Sequence, residues 1–128
     1  MAAGFPYSTG DVLTAVDMNG LVAFTTNTQT ADYTPVSADQ YQSLVLMNKA
    51  TAVNFTIPTN ASVAYPVGTV ITVLNIGAGT CTIKAVTSGT TTVLSAGAVA
   101  AQPTLAQYKS AACIKTATDT WYVVGAIA

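Results

Sequence analysis

The sequence predicts an all-β fold: an antiparallel β-sandwich or barrel-like module over residues 32–128, preceded by an extended N-terminal arm, residues 1–31, that carries a short helix. Three observations predict it. From Asp32 onward apolar residues recur with a period of two, the repeat of a half-buried strand. The periodic stretches are short and rich in Val, Ile and Thr, which suit a pleated surface. Gly, Pro, Asn and Asp punctuate them at intervals typical of sandwiches and barrels.

The arm opens with Gly4-Phe5-Pro6-Tyr7, whose Gly and Pro break regular structure. Residues 11–21 then read as a short helix. Thr14 and Asp17 approximate a capping box, Leu13, Met18 and Leu21 share one side, and Gly20 suits the C-terminal end. Two or three turns cannot stand alone, so the apolar side must dock elsewhere. Residues 23–31 (AFTTNTQTA) read as an extended connector.

Strands are expected at Ser43–Asn48, at Val53–Ile57 (stopped by Pro58) and at Thr69–Ile76, the strongest of the set. Gly77-Ala78-Gly79 is expected to turn that strand back as a hairpin into Thr80–Ala85, and Thr91–Leu94 follows. Ser95–Thr104 reads as a small-residue linker. Gln107–Lys115 alternates, with Tyr108, Ala112 and Ile114 on one face and Lys109, Cys113 and Lys115 on the other. Thr118-Asp119 turns the chain into a last strand, Thr120–Val124. Several strands are apolar or small on both faces, so one face builds the core and the other is free to meet neighbouring chains.

Composition narrows the function. The chain has 128 residues, and its only charges are four lysines and five aspartates; it has no His, Arg or Glu. Charged residues make up 7 %, against about a quarter in ordinary globular domains. So neutral an exterior implies a surface covered by copies of the chain or by a partner. Four scattered lysines make no basic stripe for nucleic acid. No run of about 20 apolar residues predicts a membrane span. The N-terminus lacks the pattern of a secretory signal, so synthesis in a cytosol is expected.

The same census argues against catalysis. General acid–base chemistry needs a group titrating near neutrality or a tuned carboxylate pair. Asp11, Asp17 and Asp119 read as caps and turns, Asp32 and Asp39 lie in a polar loop around residues 33–37, and all five read as structural; a Ser or Cys nucleophile has no histidine base. Cys81 and Cys113 cannot complete a zinc site and read as small strand residues. The Gly77-Ala78-Gly79-Thr80 turn lacks the Gly-Lys-Ser/Thr ending of a phosphate loop. Tyr41, Tyr65, Tyr108, Trp121 and Tyr122 supply aromatic faces for a sugar, but aromatics of β domains more often fill cores. No cofactor or metal is expected.

The opening Gly4–Asn19 (GFPYSTGDVLTAVDMN) resembles a leader near the start of many tailed-phage fibre and virion proteins. The segments SLVLMN at 43–48, Phe55-Thr56-Ile57-Pro58, Tyr65–Thr69, NIGAGTCT at 75–82, and Gln107-Tyr108 through Gly125 resemble a small all-β module of phage structural proteins. The resemblance spans almost the whole chain and implies a non-enzymatic virion protein, generally homotrimeric. Fibre proteins of this type are longer, so the short chain fits a capsid decoration (cement) protein that binds the major capsid protein or another virion protein. The alternative is a short head or tail fibre that recognises a host glycan. The location expected is the virion, after synthesis in the bacterial cytoplasm. Phe5, Tyr7, Val12, Leu13, Met18 and Leu21 are the expected partner-docking residues, since the arm has apolar side chains and no core of its own.

Overall fold

The computed structural model describes residues 10, 15, 25–40 and 43–128. The helix expected over 11–21 and all six docking residues, Phe5, Tyr7, Val12, Leu13, Met18 and Leu21, lie outside the described residues.

The described chain is mostly β. Its strands are β1 (Thr25–Gln29), β2 (Ser43–Met47), β3 (Val53–Ile57), β4 (Val70–Asn75), β5 (Cys81–Ala85), β6 (Thr92–Ser95), β7 (Thr104–Leu105), β8 (Ser110–Ala117) and β9 (Thr120–Gly125), with a 3-10 turn at Ser37–Gln40. Two sheets form, one in the order β1-β2-β4-β8-β9-β6 and one in the order β3-β5-β7. The expected strands are present, and two more join them. Thr25–Gln29, read as connector, pairs along its length with β2, so the larger sheet begins before residue 32. Thr104–Leu105, at the end of the expected linker, pairs with β5.

The antiparallel expectation is corrected: both sheets are mixed. The β1–β2, β2–β4, β3–β5 and β6–β9 ladders are parallel, while β4–β8, β5–β7 and β8–β9 are antiparallel. The cause is the path of the chain. From β2 to β5 each strand belongs to the sheet opposite its predecessor, so β4 lies beside β2 and β5 beside β3, each in the same direction. Gly77-Ala78-Gly79 is therefore a corner between sheets, not a hairpin.

Successive corners stack. Val45 lies beside Val73 and Phe55 beside Ile83, an offset of 28 residues in both sheets. The corner after β4 rests on the corner after β2: the Gly77 N–H donates to the Met47 carbonyl (3.1 Å) and the Gly79 N–H to the Lys49 carbonyl (2.9 Å). A β-carbon at Gly79 would meet the Thr51 carbonyl oxygen at 1.8 Å, and one at Gly77 the Lys49 backbone at 2.3 Å, so only glycine allows the approach. An earlier pass, β1 followed by Tyr33, lies beside β2 and β3, with Tyr33 bridging to Phe55. The stack is closed on its other side by β8 against β4 and β7 against β5.

Inward residues of both sheets form one hydrophobic cluster. Val45, Met47, Ile71, Val73, Cys113, Trp121 and Val123 come from the larger sheet, and Val53, Phe55, Ile57, Cys81, Ile83 and Leu105 from the smaller. Trp121 is its largest member and meets the Tyr65 ring edge-on at 5.7 Å.

Candidate interaction face

Alternation that turns one row of each strand into the core turns the other outward. On the smaller sheet the outward rows are Asn54 and Thr56 on β3 and Thr82 and Lys84 on β5, a polar surface of the ordinary kind. The larger sheet differs. Its registers place Leu44 beside Thr72, Ala112 and Val124 in one row across the strands. Val70, Ile114, Tyr122 and Leu94 form the next. Thr28, Leu46, Leu74 and Ser110 form a third.

None of these outward residues carries a charge. Val70, Tyr122 and Val124 are 48 %, 44 % and 50 % exposed, and the Leu and Ile residues beside them are partly exposed. Six strands about 4.8 Å apart and about five residues long cover roughly 500 Å² in plan, and more as accessible surface. That approaches one side of a standard protein interface, about 800 Å². Within this face Thr28, Thr72 and Ser110 intersperse the apolar side chains, and β1 is wholly polar.

The described charges sit elsewhere, and several hold loops. Asp39, buried in the 3-10 turn, accepts from the Tyr33 hydroxyl (2.5 Å), the Val36 N–H (2.9 Å) and Asn27 Nδ2 (3.0 Å), tying β1 to the loop after it. Burial, with the Asp39 hydrogen bond second, pushes the Tyr33 phenol up to about 12. Asp32 accepts from the Asn54 N–H (2.9 Å) and Asn54 Nδ2 (3.2 Å), and these bonds hold its carboxyl below the ordinary carboxylate value. Asp119, in the β8–β9 turn, accepts from the Asn60 N–H at 2.7 Å and the Thr91 hydroxyl at 3.1 Å.

Lys115 points inward, beside Cys113 on β8, and is 2 % exposed. Its ammonium donates to Asn60 Oδ1 and to the Tyr65 carbonyl, each at 2.6 Å. Asn60 thus bridges the Lys115 cation to the Asp119 carboxylate. Asp32, Asp39 and Asp119 serve as the expected loop and turn holders, while Asp11 and Asp17 lie outside the described residues. Cys81 and Cys113 are buried free thiols. Desolvation pushes them up to about 11 and about 12, away from the reactive thiolate. Trp121 is core and offers no platform, whereas Tyr108 and Tyr122 are 75 % and 44 % exposed. Tyr41 lies outside the described residues.

Among the described residues no three His, Cys, Asp or Glu side chains gather as a metal site would require. Among them, too, no helix is long and apolar enough to cross a membrane. Comparisons with protein-family models, with curated proteins and with solved structures each find no match.

Sequence reading anticipated strands apolar on both sides but not which of them share a face. It named Tyr108 among the aromatic faces but placed it within a strand, where the structure has an exposed turn.

Proposed function

We propose that this chain is a non-enzymatic structural protein of a tailed-phage virion, a homotrimer that decorates the capsid shell and stabilises it. The observation that carries the reading is the uncharged outer face of the β1-β2-β4-β8-β9-β6 sheet, beside a smaller sheet whose outer face is ordinarily polar. A sheet closed over its core on one side has no need of leucine, isoleucine and valine on the other unless something covers them. The resemblance of residues 4–19 and of the β segments to phage structural proteins supplies the context. In this reading the two sheets close over their shared cluster as a sandwich, copies bury their outer faces against one another, and the N-terminal arm grips the capsid. Decoration then acts by mass action: an added interface stabilises the assembled shell and leaves free subunits unchanged.

Deleting residues 1–22 tests the division of labour. The truncated chain is expected to fold and self-associate yet fail to bind particles in a sedimentation assay. Truncated protein that still decorates heads contradicts the arm's role.

A second reading, a short head or tail fibre that recognises a host glycan, is favoured by exposed Tyr108 and Tyr122, since aromatic faces stack on sugars. Electron microscopy of labelled particles separates the two: signal over the capsid lattice supports decoration, and signal at a fibre tip supports the alternative.

A further inference from the structure

We infer that Tyr108 is a rigid anchor by which one copy of this chain grips the uncharged sheet face of the next. The inference rests on the self-association reading above and adds the residue that makes the contact directional.

Tyr108 is 75 % exposed, more than any other large apolar side chain among the described residues. Its backbone is left-handed, with φ of 66°. That region is an outlier for a bulky side chain, and residues held there persist when their surroundings over-determine them. The surroundings here do so. The Tyr108 N–H donates to the Asn75 carbonyl (2.6 Å), and the Asn75 N–H donates to the Lys109 carbonyl (3.0 Å). Asn75 Nδ2 holds the Leu105 carbonyl at 2.9 Å, and the Lys109 N–H closes on the Ala106 carbonyl at 3.2 Å. Buried Asn75 thereby fixes both flanks of the loop. The result is a loop whose left-handed backbone is pinned by hydrogen bonds and which holds an aromatic ring in water, where it gives the monomer little. Preorganised aromatic residues of this kind are typical interface anchors, because little conformational freedom remains to be lost on binding.

The occupant is a second copy of this chain. The Tyr108 N–H bonds the Asn75 carbonyl, one residue past Leu74 of the Leu74–Ser110 row, so the backbone of the anchor stands at the end of that sheet. The face covers roughly 500 Å² in plan, room for one partner. A charged partner would bury unpaired charge against it; the same chain's face is a complement without charge. An anchor at the rim of one face that meets the middle of the next is a heterologous contact, not a two-fold pair, and it gives the trimer of the reading above where its rotation closes in three steps.

Sedimentation velocity tests this on the full chain and on Tyr108→Gly, Tyr108→Asn and Val124→Lys. Gly and Asn both tolerate the left-handed backbone. At concentrations where every variant is monomeric, their melting temperatures are therefore expected to equal or exceed the parent's. Their association is expected to weaken about tenfold or more, the scale of losing an anchor. Val124→Lys is expected to dissociate the assembly. If Val124→Lys dissociates it while both Tyr108 variants assemble like the parent, the anchor is wrong and the face stands. If Val124→Lys assembles normally, or the parent sediments as a monomer, the face falls and the anchor with it. A Tyr108→Gly monomer that melts well below the parent overturns the anchor by giving the ring a structural role. Unchanged assembly with lost retention on immobilised oligosaccharides overturns it in favour of a glycan.

Discussion

Gly79 stands where a β-carbon would sit 1.8 Å from the Thr51 carbonyl oxygen, a contact backbone cannot relieve cheaply. Gly79→Ala is therefore expected to destabilise by more than about 3 kcal/mol in urea denaturation, at the large end for single substitutions. Gly89→Ala is the control. Its φ is +88° but the space around it is open, so about 1–2 kcal/mol of backbone strain is expected. Asn75 is the second such residue. Its side chain bonds the Gly79 and Leu105 carbonyls and accepts the Gly77 N–H. Asn75→Leu removes the donor to the buried Gly79 and Leu105 carbonyls and leaves the Gly77 N–H only its Met47 bond, at a cost of about 1–3 kcal/mol by the same assay.

Titration at the residue scale predicts alkaline sensitivity. Thiols and phenols ordinarily titrate near 9.0 and 10.0, whereas Cys81 is pushed up to about 11 and Cys113 and Tyr33 to about 12; Tyr65 is raised further by burial. The folded state therefore keeps protons that the unfolded chain releases. This stability is fully present below about pH 9 and is lost as pH rises through about 12. Circular-dichroism melts should show a near-constant melting temperature from neutrality to about pH 9 and a steep fall above it. A flat profile to pH 11 contradicts the burial of these groups.

At the scale of elements, the lesson lies in pairing. Each long apolar strand was legible because Val, Ile and Thr at period two declare a pleated segment. The partner of each strand was not, since alternation records which face a residue takes and says nothing of which strand lies beside it. The clue was a faint repeat: Val45 with Val73, Val53 with Cys81, Phe55 with Ile83. It was obscured where Met47 gives way to Asn75 and Lys49 to Gly77, the substitutions that build the clasped corner. β1 was missed because Thr25–Gln29 is wholly polar, as an edge strand with little inward packing can be. Truncation separates the roles of the N-terminal elements. Removing residues 1–22 should leave the melting temperature near the parent value. Removing residues 1–29 strips β1 from β2 and takes Asn27 from Tyr33 and Asp39, so the melting temperature should fall by several degrees.

At the scale of the molecule, scarcity of charge acquires a location. The described lysines and aspartates lie in loops, corners, the buried Lys115 site and the polar sheet, and the larger sheet's outer face has none. The sequence disclosed strands with two apolar sides; the topology gathers those sides into one surface. The six arm residues expected to dock the capsid rest on composition and resemblance alone, because their segment lies outside the described residues. The central claim, self-association through the uncharged face, is tested most directly by the solution mass from light scattering of the parent chain and Val124→Lys. The account predicts three times the 13.0 kDa chain mass for the parent and 13.0 kDa for the variant. A parent chain that is monomeric at micromolar concentration, or a variant that keeps the parent's mass, would contradict it.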